Sequence, residues 1–324
     1  MKTYLIRRLL QMIPLFFGIT IVSFSIVHLA PGSPVDLLAG DPNITPEDIA
    51  RMEEALGLNR PIHIRYFEWV GDMVKGDFGN SFRQGKAVSA LILERLPNTM
   101  ILNIFALLIS LSVSIPVGIF SAIRQYSLAD YLATFLAFFG VAMPNFWLAL
   151  LLLYLFWVRL QILPGSGRGT YGWTVESVGW HWYFIDRAKH MILPVFVLSV
   201  STMASFTRFV RTSMLQVIRE DYVRTARAKG LSERVVIYKH ALRNAMIPLV
   251  TILAMSIPGL IGGSVVIEQI FSWPGVGSLS FNSVMGRDYN VVMAFNTITA
   301  MLTLVFMLLA DIAYVAVDPR IRFD

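Results

Sequence analysis

Long apolar runs without charge, separated by charged stretches, dominate the pattern of this chain. A bilayer core about 30 Å thick is crossed by about 20 apolar residues at a helical rise of about 1.5 Å. Six runs meet or approach that length: residues 9–29, 98–123, 131–158, 191–207, 246–267 and 290–310. The first holds His28 as its one titratable side chain, and the fourth is shorter and more polar than the others. Backbone groups in hydrocarbon have no water to bond, so these runs are expected to be helices; the alternation of a membrane barrel is missing. Pro14, Pro116, Pro144, Pro194 and Pro258 fall inside the runs, and each is expected to kink its helix by removing a backbone bond. The first run reads as a span and not as a cleavable leader. It is longer than the roughly 7–15 apolar residues of a leader, and it closes on His28-Leu29-Ala30-Pro31 without a small-x-small site.

The stretches between runs add smaller elements. In residues 31–97, Thr45-Pro46-Glu47-Asp48 reads as an N-cap, a proline at the first helical position and acids in the first turn. Ile49, Met52 and Leu56 would share a face, with Gly57 as the stop. A second helix is expected after Pro61, with Ile64, Phe67 and Val70 or Val74 inward. This insert either contacts a partner or simply covers the bundle. Residues 160–190 are rich in Gly and aromatics; Trp173, Trp180, Trp182 and Tyr183 fit an interfacial aromatic belt better than a substrate site.

Residues 208–245 are too basic for hydrocarbon and too long for a tight connection. Asp221 to Lys229 reads as a short helix ended by Gly230, and Ser232-Glu233-Arg234-Val235 opens a second one leading to the fifth run. The small residues Ala226, Ala228 and Gly230 would admit close approach by another protein. The alternative is a juxtamembrane helix held on anionic lipid by its Arg and Lys side chains.

Charge then orients the chain. With six spans the termini share a side, and that side carries Lys2, Arg7, Arg8, Arg124, Arg320, Arg322 and nine more cations within residues 208–243. These are fifteen of the 27 basic residues; seven of the remaining twelve lie in the long 31–97 segment, which counts little in this rule. Both termini are therefore expected in the cytoplasm of a multi-pass protein.

Composition agrees: 56% of the 324 residues are hydrophobic and 15% charged, too little polar cover for a water-facing surface. The net charge of +6 flanks apolar runs and forms no separate basic domain, which argues against nucleic acid as a partner. Zero cysteines exclude disulfides, thiolate metal sites and cysteine nucleophiles. The five histidines show no His-Glu-x-x-His pattern, and Gly165-Ser166-Gly167 reads as a turn, so neither metal nor catalytic residues are expected. No phosphate-binding loop is present: Gly79 to Gly85-Lys86 has one residue too many and Ala87 where a hydroxyl is needed. ATP hydrolysis is therefore not expected of this chain. Ion coupling would use ionisable groups in the spans, and only His28, Glu268 and Asp311 are on offer, each expected to reach the interface near a helix end. Small polar residues stud the spans: Ser110, Ser112 and Ser114; Ser199, Ser201, Thr202 and Ser205; Asn296, Thr297, Thr299 and Thr303. They serve helix packing or line a wet passage; Ser201, Ser205, Asn296 and Thr299 are the candidates for lining.

The chain resembles one family. Asp-Tyr-Val-Arg-Thr-Ala-Arg-Ala-Lys-Gly-Leu-Ser at 221–232, His-Ala-Leu-Arg-Asn-Ala at 240–245 and Ile247-Pro248 resemble the permeases of binding-protein-dependent ATP-binding-cassette importers, in the dipeptide/oligopeptide/nickel branch. Ala30-Pro31-Gly32, Leu56-Gly57-Leu58, Gly76-Asp77-Phe78-Gly79, Arg95-Leu96-Pro97-Asn98-Thr99, Trp273-Pro274-Gly275-Val276-Gly277 and Asp318-Pro319-Arg320 follow in the family's order. The resemblance implies an all-α membrane protein with six transmembrane helices, a small helical extracellular insert and a cytoplasmic coupling helix. Its parts would be residues 1–30 (N-terminus and first span), 31–97 (insert), 98–317 (five-helix core with the coupling segment 208–245) and 318–324 (tail).

The resemblance also implies a pathway for di- or oligopeptides in a prokaryotic inner or plasma membrane. Nickel chelates, glutathione and oligosaccharides are alternative cargoes, and an ion-coupled secondary carrier is the rival class. Partners would be a second related permease, two ATPase subunits holding ATP and magnesium, an extracellular solute-binding protein and membrane lipid; no cofactor would reside in this chain. The coupling helix would use Glu220, Asp221, Tyr222, Arg224, Ala226, Ala228 and Gly230. The wider superfamily pattern Glu-Ala-Ala-x-x-x-Gly places Arg224, Thr225 and Ala226 at its first three positions, so Asp221 or Glu220 would stand in for the acidic contact.

Overall fold

The structure is a computed structural model that describes residues 2–29, 32–33, 35, 44–55 and 57–317. Ala30, Pro31, Leu56 and the 318–324 tail, with their expected motifs, lie outside the described residues. The described chain is helical, and its one β contact is an isolated bridge between Asn80 and Ala87.

Four helices are long and apolar enough to cross a membrane: α1 (Lys2–Leu29), α4 (Val88–Ile123), α8 (Trp180–Val217) and α16 (Tyr289–Val317). A fifth candidate is a bent pair, α5 (Leu128–Ala142) and α6 (Asn145–Leu152), the latter running into wider π turns over Leu153–Arg159. The halves of this pair meet at 99°, so the continuous third span expected over 131–158 is broken. Met143 is extended (ψ 124°), as the residue before a proline prefers, and Pro144 starts the next helix as its N-cap. Pro14, Pro97, Pro116 and Pro194 stay inside unbroken helices. The fifth expected span, 246–267, is divided further, into α12 (Ile247–Ser256), α13 (Gly259–Gly262) and α14 (Val265–Ile270). Pro258 and Gly263, the latter at φ +70°, mark the two breaks.

The centre of the bundle is α4 laid along α8. Gly118 makes the close approach possible, since a Cβ there would come within 2.7 Å of Val210 and 2.9 Å of the Thr207 carbonyl. At Gly140 a Cβ would meet Ala204 at 3.1 Å, so α5 also packs closely on α8. Ser110, fully buried, bonds the Ser199 carbonyl across the α4–α8 seam at 3.0 Å. On the outside of the bundle α1 packs on α16, with Arg8 and Asp311 paired at 3.1 Å.

The 31–97 insert holds α2 (Pro46–Ala55) and α3 (Ile62–Val74). Thr45 caps α2 as expected: its hydroxyl accepts the Asp48 N–H (3.2 Å), and Asp48 accepts the Thr45 N–H (3.0 Å). The Thr45 hydroxyl also donates to the Asp48 carboxylate (2.7 Å), and this bond, with the one from the Thr45 N–H, holds the carboxyl's pKa below its ordinary value. The inward face of α3 differs from expectation. Phe67 and Val74 are 70% and 75% exposed, and Ile64 is exposed too, while Met73 is buried and Tyr66 and Trp69 partly so. The reason is aromatic pairing: Tyr66 and Trp69 pack on Phe24 of α1 at ring distances of 5.3 and 5.8 Å. On α2, Ile49 is partly buried and Met52 exposed.

Residues 160–190 are less loop-like than expected. A one-turn helix α7 (Val175–Val178) precedes α8, which begins at Trp180 and so absorbs the last third of the segment. Trp180 and Trp182 project from its first turn and are exposed, as an aromatic belt requires. The loop is tied down by Asp186, which accepts from the Thr170 N–H (2.8 Å) and hydroxyl (2.7 Å), and by the Gly167 N–H to the Phe271 carbonyl (2.8 Å).

Candidate coupling surface and pathway

The basic segment after α8 folds as an elbow. Its first arm is α9 (Asp221–Ala228), with Glu220 extended as N-cap, Asp221 in the first turn and Arg227 in the last, the charge order a helix dipole favours. Gly230 then turns the chain at φ +74°, a conformation in which a side chain is strained. The second arm, α10 (Glu233–Val235), starts at Ser232, whose side chain makes no capping bond, and widens into π turns over Val236–Ala241 before α11 (Leu242–Ala245). Arg227 and Glu233 clip the arms together through two bonds of 2.8 and 3.2 Å. The Arg227 hydrogen bonds hold the Glu233 carboxyl below the usual glutamate range.

Two side chains anchor α9 to the bundle. Val223 and Ala226 are buried in a cluster with Ile119 and Ala122 of α4, Val210 and Met214 of α8, and Val236 and Ala241 of the second arm. Ala226 was expected to admit another protein; it faces the bundle's own helices instead. The signal was legible: Val223 and Ala226 are three apart, the spacing of one helical face. The outward face carries Glu220, Asp221, Tyr222, Arg224, Thr225, Ala228, Lys229 and Gly230, all exposed. Asp221 is 3.6 Å from Arg224 within α9, and both acidic candidates, Glu220 and Asp221, lie on the open surface.

The lining candidates sit on two helices. Ser201 and Ser205 belong to α8, where Ser205 donates to the Ser201 carbonyl (3.0 Å), and Asn296 and Thr299 belong to α16. Ser205 is exposed and the other three are half-buried. Among the described residues no hydrogen bond joins the α8 pair to the α16 pair. Thr299 faces the broken fifth segment: a Cβ on Gly262 would touch its methyl at 3.9 Å. Asn103 of α4 bonds the freed Leu260 carbonyl of that segment at 3.0 Å. Non-helical backbone at membrane depth needs such partners or a wet cavity.

Beyond this break lies a buried polar site that sequence reasoning missed. Glu268 does not reach the interface; it is wholly buried. Its carboxylate accepts the Thr99 hydroxyl (2.9 Å) and the Ser278 N–H (2.8 Å), with the N–H groups of Gly277 and Ser264 also directed at it. It thus occupies the N-terminus of α15 (Val276–Met285), where unpaired N–H groups and the helix dipole favour an anion. Three glycines make the room: a Cβ at Gly263 or Gly277 would come within 2.7 or 2.9 Å of a carboxylate oxygen, and one at Gly275 would overlap it. Thr99 also accepts the Val276 N–H (2.8 Å); its neighbour Asn98 donates to the Pro274 carbonyl (2.7 Å) and accepts from the Trp273 indole (3.1 Å). Two sequence motifs about 175 positions apart, Asn98-Thr99 and Trp273 to Gly277, are therefore one joint between α4 and the α14–α15 corner.

The remaining ionisable groups of the spans are also engaged. His28 stacks on Phe24 at 3.9 Å and bonds its carbonyl. At the elbow end of the bundle, buried Asp130 takes Arg211 in a fork of 2.7 and 2.9 Å, together with the Ser121 hydroxyl and the Tyr126 N–H, which pins α4, α5 and α8 together. Among the described residues no group of three His, Cys, Asp or Glu is placed to hold a metal ion.

Residues 114–323 match the family described as binding-protein-dependent transport system inner membrane component, and residues 1–103 match its N-terminal membrane component. The chain is similar to the oligopeptide transport system permease protein AppB of Bacillus subtilis, 48% identical over 324 residues and 100% of both chains. It is similar to the dipeptide transport system permease protein DppB of Alkalihalophilus pseudofirmus, 40% identical over 334 residues and 100% of both chains. The protein of that name from Escherichia coli K12 is 38% identical over 336 residues and 99% of each.

Proposed function

The chain belongs to the family of binding-protein-dependent transport system inner membrane components, and on that premise we propose that it forms part of the pathway of an ATP-driven peptide importer. The full-length identity of 48% to an oligopeptide permease carries this reading. The cargo is a short peptide handed over by an external solute-binding protein, and a second related permease completes the passage. Two separate ATPase subunits hold ATP and magnesium; the absence of a phosphate-binding loop here supports that division of labour. The fifth segment completes six crossings, and the termini and elbow are cytoplasmic, in line with the distribution of Lys and Arg.

In this reading α9 is the coupling helix. Val223 and Ala226 fix it to the bundle, and Tyr222, Arg224, Thr225 and Ala228 face the ATPase, with Glu220 or Asp221 supplying the acidic contact. ATP binding draws the ATPases together, the elbows move with them, and the passage opens outward; hydrolysis resets it. The peptide passes Ser201, Ser205, Asn296 and Thr299, a lining of hydroxyl and amide groups without fixed charge that suits varied sequences.

The chain has no cysteine, so one introduced thiol is unique. In the assembled importer, Arg224→Cys is expected to cross-link to an ATPase subunit and to block peptide uptake once linked. An accessible thiol at 224 that never meets an ATPase, in a complex that imports peptide, overturns the assignment.

A further inference from the structure

A cavity of about 360 Å³ lies between α5 and α8 at the elbow end of the bundle. Its lining is graded. Thr134, Arg208 and Thr212 stand at the elbow end, and Ala137, Val141 and Ala204 continue it towards the membrane middle. The two helices run in opposite directions, yet both place polar residues at the same end and apolar ones at the other. Uniform small solutes do not call for such a gradient. An amphiphile does, with its headgroup at the interface and its chain along the apolar part.

The charge at the polar end is unmatched. Arg211 is spent on Asp130. Arg208, one turn earlier, has no carboxylate partner among the described residues; its guanidinium lies 6.0 Å from the Phe138 ring and is exposed. The Thr134 hydroxyl likewise makes no hydrogen bond among them. The surface around the opening is made for hydrocarbon: Leu132, Phe135 and Phe138 are each more than half exposed. The guanidinium and the free hydroxyl are donors for a phosphodiester oxygen, and the apolar rim suits an acyl chain.

We propose that this α5–α8 cavity binds an anionic phospholipid of the elbow-side leaflet, with Arg208 and Thr134 on its phosphate. The site is distinct from the outward face of α9. It places a lipid against the Asp130–Arg211 joint, next to the α8 end on which the elbow rests.

The test uses the assembled importer purified from membranes and mixed with phosphatidylglycerol or phosphatidylcholine, with retained lipid counted by native mass spectrometry. The protein should retain phosphatidylglycerol in preference to phosphatidylcholine. Arg208→Gln should weaken that retention by roughly five-fold, the worth of one cation at an anionic surface. Thr134→Val should weaken it less, and Arg159→Gln, on the far side of the bundle, should leave it unchanged. Equal retention by Arg208→Gln and the parent overturns the proposal, as does equal retention of the two lipids. So does displacement by millimolar inorganic phosphate, which would mark a site for a free anion. A cross-link from Phe138→Cys to the second permease would make the cavity a subunit interface and overturn it too.

Discussion

Glu268 shows how one residue type acquires different meanings by environment. A carboxylate within an apolar segment is costly unless charge-assisted hydrogen bonds surround it. Here a hydroxyl and backbone N–H groups do so, and glycines leave the volume. Glu268→Gln places an amide N–H₂ against donors, so at least one buried donor loses its acceptor. The expected cost is about 2 kcal/mol or more, read as a lowered melting temperature of the purified complex, with a smaller loss for Thr99→Val. A Glu268→Gln complex that melts like its parent would show that the joint contributes nothing. The motifs that build this joint were visible in the sequence, but their pairing was not. Periodicity reports on neighbours within one element, whereas Thr99 and Glu268 are 169 positions apart. The same limit hid the inward turn of Tyr66 and Trp69, which depends on Phe24 of another helix.

At the scale of elements, four long apolar helices were readable because length and hydropathy are properties of a single segment. The breaks were not, because proline acts through its context. Pro116 and Pro194 continue their helices and Pro144 ends one, though each stands in an apolar run. The elbow was readable as helix, turn and helix from its glycine and its charges; its two faces were not distinguished. That distinction is testable. Ala226→Trp overpacks the cluster around Met214 and Val236 and should cost about 1–3 kcal/mol of stability, lowering the yield of assembled complex. Ala228→Trp projects outward and should leave stability unchanged while abolishing ATP-driven uptake. If the two variants behave alike, the inner and outer faces of α9 are wrongly assigned.

For the whole molecule the question is which side faces which compartment. Tyr171 is fully exposed in the loop before α7, and Arg224 is exposed on the elbow. In intact cells, Tyr171→Cys should react with a membrane-impermeant maleimide, and Arg224→Cys only after the membrane is opened. Labelling of the two in the reverse order would invert the topology and take the elbow away from any cytoplasmic ATPase.

The helix α4 reaches from one of these worlds to the other. Near its start, Asn98 and Thr99 grip the corner around Glu268; near its end, Ile119 and Ala122 bear on the elbow. At about 1.5 Å per residue, the 21 positions from Asn98 to Ile119 span about 32 Å of uninterrupted rod, roughly the hydrocarbon thickness. A pushrod of that kind needs no chain of intermediaries: a displacement received at the bottom bearing arrives at the top one directly.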